Sequence, residues 1–287
     1  MDGVTNMKKL RMAIVGHGFV GAAVDYGFPN GNCNKTIIDP KYGTQVSDLM
    51  ESDVEVSFVC VPTPMGQDAS IDASILVSTV TDLLAYTSGM IVIKSTVIPS
   101  IVGELAKDPR VIYNPEFLTE KSANEDFVNP IMHVFGGDSE QTEKLEKIYT
   151  RYSACKPCAV YHMTAEEASF VKYGMNSFLM TKVLFFNQLF DLIEKNGSNF
   201  SIIQKAITTD PRIGSSHTMV PGHDGRKGAA GACFAKDGPA FVMYAKKEKN
   251  HFTILEEVIR TNQKYRNSYG EPLPREKEQH INFNYDI

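Results

Sequence analysis

Apolar residues in the first half of the chain come in short unbroken runs rather than in strict alternation. Arg11–Val15, Thr36–Ile38, Val56–Val61, Met90–Lys94, Val111–Asn114 and Met132–Phe135 each read as a strand. Continuous Val/Ile runs mark strands buried on both faces of a parallel sheet. The stretches between them are long enough for crossover helices, Ser74–Tyr86 being one example. This alternation predicts an α/β fold, a Rossmann-type doubly wound parallel sheet over residues 1–150.

The pattern then changes. Thr164-Ala165-Glu166-Glu167 is a capping box. A helical periodicity follows to about Lys195 and stops at Asn196-Gly197. Phe170, Val171, Phe178, Leu179, Val183, Leu184, Phe185, Phe186, Leu189 and Phe190 cover most of its circumference. Such a helix is expected to be buried on several sides, as the spine of an all-helical domain or as a dimer seam. Phe200–Ile207 and Asp237–Asn262 read as further helices, and the Gly-, Pro- and Ser-rich stretch 208–231 as a long functional loop. The expected division is 1–150, a helical central domain over 151–265, and a loose polar tail over 266–287.

The 287 residues suit two domains. A formal net charge of -5 gives no general attraction to nucleic acid. Met1–Lys9 is polar and reads as no secretory signal. Phe170–Ile193 carries Lys172, Lys182 and Asp191, which argues for a buried helix and against a membrane span. The five cysteines, an odd number, point to thiols in a reducing, cytoplasmic compartment. Cys155-x-x-Cys158 has no second CxxC or His pair at zinc spacing, so no metal is expected.

Gly16-x-Gly18-Phe19-Val20-Gly21 follows the first strand and should open a helix whose N-terminus faces a pyrophosphate. Asp39 closes the next strand, 18 residues after Gly21. A carboxylate there accepts ribose hydroxyls and repels a 2′-phosphate, which favours NAD, although the nearby Lys41 weakens that preference. The bland alternative is a glycine turn that only packs a helix on a sheet. Thr63, in Cys60-Val61-Pro62-Thr63-Pro64, and Thr96, after Lys94-Ser95, lie at the carboxyl ends of strands, where ligands are met; Cys60 reads as a small core residue. Glu116 and Glu120, in Asn114-Pro115-Glu116-Phe117-Leu118-Thr119-Glu120, read equally as surface charges. Lys172 and Asn176 share a helix face. A lysine within an apolar helix either reaches to the surface or points into a site, and the pattern alone favours the surface. Cys233 follows glycines and precedes Lys236 and Asp237, a setting that suits a thiolate or a buried structural cysteine.

These motifs, with Asp210-Pro211-Arg212-Ile213-Gly214 and Val220–Gly225, occur in the order and approximate spacing of the UDP-glucose/GDP-mannose dehydrogenase family, its UDP-glucose branch above all. The resemblance runs from about residue 11 to 262. It implies a two-step oxidation of a nucleotide-sugar primary alcohol to the carboxylate with NAD. It assigns Cys233 as the nucleophile that holds the aldehyde, and Asp237 as the aid to hydrolysis. Lys172 and Asn176 stabilise negative charge on the sugar oxygen, while Thr96 and Glu120 hold the catalytic water. Gly16, Gly18, Phe19, Val20, Gly21, Asp39, Thr63, Thr96 and Glu120 are the implied cofactor contacts. Glu116, Phe117, Leu118, Lys172, Asn176, Arg212 and Lys236 are the implied substrate contacts. A homodimer through the Glu166–Lys195 helix is expected.

The chain departs from the family in Gly228-Ala229-Ala230-Gly231 and in Ala235, where a proline is usual. It also ends where members normally continue into a second, nucleotide-holding domain. Two other readings therefore stand beside the enzyme: a non-catalytic NAD-binding dimeric scaffold, and a single-step β-hydroxyacid-type dehydrogenase.

Overall fold

The computed structural model describes residues 8–287. Its elements are β1 Leu10–Val15, α1 Phe19–Gly27, β2 Cys33–Ile38, β3 Val56–Val59, α2 Ser74–Tyr86, β4 Met90–Ile93, α3 Pro99–Leu105, β5 Val111–Tyr113, α4 Ala123–Val128, β6 Met132–Gly136, α5 Ser139–Tyr152, β7 Ala159–Met163, α6 Ala165–Lys195, α7 Phe200–Thr208, α8 Phe234–Lys247, α9 Thr253–Arg266 and α10 Pro274–Glu278. The chain divides into two compact units. Among the described residues, the first comprises 8–63 with Ala73–Lys172, and the second Pro64–Asp72 with Tyr173–Ile287.

The first unit holds a seven-stranded sheet in the order β2-β1-β3-β4-β5-β6-β7. β1 to β5 are parallel. Successive side chains point to opposite faces, so Ala13 and Val15 join one buried cluster and Met12 and Ile14 another. The strand order reverses beside β1, and ligands of such sheets bind outside the carboxyl ends of the strands at that reversal. β6 runs antiparallel to β5, meeting it at Tyr113 and Gly136. The connection between them contains no crossover, only a 3-10 turn and the short α4, whose Phe127 ring lies against Gly27 of α1. The chain therefore enters β6 from the end at which it left β5. β7 has no counterpart among the expected strands; it pairs in parallel with β6 at the sheet's edge.

The capping box forms as expected. Glu167 N–H donates to Thr164 Oγ1 at 3.2 Å, and Thr164 N–H donates to Glu167 Oε2 at 2.8 Å. α6 ends before Gly197, whose φ is 67°. Its circumference is not fully covered within the chain: Phe178, Phe185 and Leu192 are 68%, 59% and 59% exposed.

In the second unit the polar segment after residue 266 is anchored, not loose. Ile281 and Phe283 pack with Met65 and Ala235. Met65 N–H donates to Gln279 O at 3.0 Å. Arg266, buried, donates to Glu276 Oε1 at 2.8 Å and to Asp224 Oδ2 at 2.7 Å, and Glu276 is fully buried. Two apolar anchors and one buried ion pair hold a segment whose composition reads as tail. Glu276→Ala removes one charge-assisted hydrogen bond but leaves Arg266 paired with Asp224, so it is expected to destabilise the protein by about 1–3 kcal/mol. Urea unfolding at neutral pH measures this, and a loss of no more than a few tenths of a kcal/mol would show that the tail is not anchored by this pair.

Candidate active site

Among the expected cofactor residues, Gly16 follows β1 with φ 86°, and a Cβ built there would lie 2.7 Å from Cys60 O, so only glycine lets β1 and the end of β3 approach this closely. A Cβ at Gly21 would lie 2.0 Å from Gly16 O, which seats α1 tightly on the turn. A Cβ at Gly18 would meet nothing within 4 Å, leaving open space beside the N-terminus of α1, where Phe19 and Val20 begin the helix. Asp39 follows β2. Its Oδ2 accepts from His17 N–H at 2.7 Å and its Oδ1 from Lys41 N–H at 3.0 Å. Burial raises its pKa, but these two N–H donors outweigh that and hold the carboxyl below the usual range. A carboxylate has about four acceptor positions, so two remain for ribose hydroxyls. Glycine turn, open helix terminus and fixed anion together fit a dinucleotide.

Thr63 and Thr96 are both buried at the carboxyl ends of β3 and β4, and Thr63 Oγ1 donates to Thr96 O at 2.8 Å. Glu116 is no surface charge. Its Oε2 accepts from Leu118 N–H at 2.6 Å and its Oε1 from Lys172 Nζ at 3.1 Å. Lys172 also donates to Glu116 O at 2.6 Å, and its ammonium lies 5.6 Å from the centre of the Phe117 ring. Lys172 is 3% exposed. The surface orientation favoured by the helix pattern is therefore overturned: a buried carboxylate outcompetes water for this ammonium. Glu120 begins an exposed 3-10 turn.

The second unit gathers Asn176, Lys236 and Asp237. The Asp237 carboxylate is fully buried; Oδ2 accepts from Asn176 Nδ2 at 2.7 Å and Oδ1 from Lys236 Nζ at 2.6 Å. Cys233 is the N-cap of α8, half-buried, and its carbonyl accepts from Asp237 N–H at 2.8 Å. The loop before it is held by two buried amides: Gly228 N–H donates to Asn187 Oδ1 at 3.0 Å and Ala229 N–H to Asn262 Oδ1 at 2.7 Å. These asparagines carry no motif and were not among the expected site residues. Arg212 is not drawn into this group; its side chain is 88% exposed and pairs with Asp210 at 2.6 Å.

The remaining cysteines behave as structural thiols. Burial pushes Cys60 up to about 12 and raises Cys155 and Cys158, and Cys155 Sγ donates to Phe127 O at 3.1 Å. Among the described residues, no group of three or more His, Cys, Asp or Glu side chains could hold a metal ion. No helix of the described residues is long and apolar enough to cross a membrane. The sequence pattern had shown Lys94 only as the end of β4. The lysine closing an apolar strand was the available signal; it is buried beneath the same strand ends.

The strand order, glycine turn and Asp39 define a Rossmann-type dinucleotide-binding unit. Residues 40–153 match the UDP-glucose/GDP-mannose dehydrogenase family, NAD binding domain, and residues 166–264 match the central domain of the same family. The chain belongs to the UDP-glucose/GDP-mannose dehydrogenase family, and NAD is the cofactor of its first domain. A UDP-glucose 6-dehydrogenase of Bacillus subtilis is 28% identical over 305 residues, covering 91% of this chain and 64% of that protein. A UDP-glucose 6-dehydrogenase of Rickettsia bellii is 34% identical over 220 residues, covering 72% and 49%. The chain thus spans about half to two thirds of the length of such relatives. In fold it is similar to a UDP-glucose dehydrogenase of Pyrobaculum islandicum, with TM-score 0.76 and 23% identity over 92% of this chain and 70% of that one. It is also similar to a 3-hydroxyisobutyrate dehydrogenase of Mycobacterium tuberculosis, with TM-score 0.69 and 15% identity over 88% and 91%.

If Asp39 accepts the ribose hydroxyls, Asp39→Ala weakens NAD⁺ binding about ten- to hundredfold, the value of hydrogen bonds to a charged acceptor. Calorimetry with the full chain reads this directly; an unchanged Kd contradicts the assignment.

Proposed function

We infer that the protein oxidises the primary alcohol of a nucleotide sugar, of the UDP-glucose kind, to the carboxylate in two steps. NAD⁺, when bound, supplies the hydride acceptor for each step. The observation that carries this reading is the coexistence of buried Lys172, the Asn176–Asp237–Lys236 group and Cys233 at the start of α8 in one chain of this family.

The roles follow from the chemistry of each group. The Lys172 ammonium and the Asn176 amide stabilise negative charge on the sugar oxygen as its proton leaves. Glu116 holds that ammonium, and with Phe117 and Leu118 lines the substrate side; Arg212 and Lys236 are further substrate contacts. Thr96 and Glu120 hold the water. The Cys233 sulfur adds to the aldehyde carbon, forming a thiohemiacetal; loss of a second hydride from that carbon leaves a thioester, which water hydrolyses with the help of Asp237. Covalent capture keeps the aldehyde from escaping between the two oxidations. The positive end of α8 favours the negative charge an attacking sulfur carries.

The same reading includes a homodimer. Phe178, Phe185 and Leu192 recur every seven residues along α6, and a second copy laid on this stripe removes their apolar surface from water. Sedimentation of the full chain should show a dimer that Phe185→Glu converts to monomer; a monomeric parent protein contradicts it.

Activity is tested by NADH yield from limiting UDP-glucose. Two NADH per sugar are expected, with Lys172→Met lowering kcat about 10²- to 10³-fold, as for loss of one preorganised oxyanion donor, and Cys233→Ser forming no acid. One NADH per substrate would favour the single-step β-hydroxyacid class, whose fold is shared here. Tight NAD⁺ binding with no turnover of any nucleotide sugar would favour the scaffold reading.

A further inference from the structure

Lys94 is a second buried lysine in the first unit, 4% exposed at the carboxyl end of β4. Among the described residues its ammonium makes one hydrogen bond, to Asn114 Oδ1 at 2.9 Å, and lies 5.8 Å from the centre of the Phe127 ring. An ammonium has three donors, and a buried one ordinarily demands an anion. Asn114 cannot turn away. Its Oδ1 also accepts from Tyr149 O–H at 2.7 Å, and its Nδ2 donates to Val134 O at 3.0 Å. The charged and titratable groups that act electrostatically on Lys94 come from several elements: Cys60 after β3, Glu116 after β5, His133 on β6, Cys155 after α5, and Lys172 on α6. Tyr149 of α5 faces it across the shared Asn114 oxygen. Glu116 is the one carboxylate among these groups, and it is already hydrogen-bonded to Lys172.

Glu116 pairs with Lys172 and also attracts Lys94 electrostatically, and Asn114, which holds Lys94, lies two residues before Glu116 on the same strand end. We propose that Lys94 is a positioning residue of the site, which acts through Asn114 and Glu116 to fix the placement and the charge environment of Lys172. The Asn114 amide ties the strand end to α5 and β6, and so fixes where Pro115 and Glu116 emerge. The Lys94 charge draws on Glu116 and repels Lys172, so that Lys172 is less fully neutralised than in an isolated ion pair. This role in catalysis rests on the proposed oxidation; the charge sharing itself does not.

Desolvation lowers Lys94 to about 8. Burial keeps Cys60 at about 12, holds His133 near 4, and raises Cys155 and Tyr149 above their ordinary values. A lysine whose folded pKa lies below its unfolded value of about 10.4 opposes folding fully below pH 8, and ceases to do so as pH rises past 10. Lys94→Met removes that penalty. Its stability relative to the parent should therefore be greatest at pH 7 and decline toward pH 10, whereas loss of packing alone gives a difference that does not vary with pH.

The deciding experiment is a thermal-stability cycle on the full chain with Lys94→Met, Lys172→Met and the double variant. If the two lysines share Glu116, Lys94→Met lowers Tm by at least about 3 °C more in the Lys172→Met background, where it leaves Glu116 with no cation. Equal Tm shifts in both backgrounds overturn the proposal. If Lys172→Met fails to fold, the pH dependence of the Lys94→Met difference decides instead, and a constant difference between pH 7 and 10 overturns it. Where nucleotide-sugar turnover is present, Lys94→Met should lower kcat about ten- to hundredfold with little change in KM, and move the basic limb of the kcat profile to higher pH. Absence of turnover in the parent bears on the proposed function alone, because the stability cycle reads the charge sharing without it.

Discussion

Everything in this molecule that bears on chemistry depends on burying charge without stranding it. A lone ion carried into a protein interior is very costly, and among the described residues each buried charge has its opposite or an amide within hydrogen-bonding distance. Lys172 takes Glu116, Asp237 takes Lys236 and Asn176, and Arg266 takes Glu276. Lys94 has the amide oxygen of Asn114 in place of a carboxylate. Pairs of this kind add little net stability. They do fix where a cation or an anion sits, which is what a reaction that develops charge requires.

The fold places these groups by ordinary means. Short apolar strands bury both sheet faces, and their carboxyl ends deliver Thr63, Thr96 and Glu116. A single long helix, α6, then carries Lys172 in the first unit and Asn176 in the second, four positions apart. In the second unit, Asn187 and Asn262 hold the loop that leads to Cys233, and α8 begins at that residue.

Much of this was legible in the sequence. Unbroken Val/Ile runs gave the central strands, and Thr164 with Glu167 marked the start of α6. The glycine turn and Asp39 fall where a dinucleotide requires them. Other features left weaker traces. β7 was missed because Ala159–Met163 is an edge strand with mostly exposed side chains, so it lacks the apolar run of a central strand. The segment after 266 reads as tail because its anchors, Glu276, Ile281 and Phe283, are few and widely spaced. The burial of Lys172 depends on Glu116, 56 positions earlier in the chain, and no local pattern carries that information.

The central claim is that one sulfur, that of Cys233, holds the sugar from the aldehyde stage through to the thioester. Acid quenching of the full chain during turnover of UDP-glucose with NAD⁺, followed by peptide mass mapping, tests it directly. The account predicts a mass increment equal to the nucleotide-sugar acyl group on the peptide bearing Cys233, and on no other. NADH formation with that peptide unmodified, or with the adduct on another residue, would contradict it.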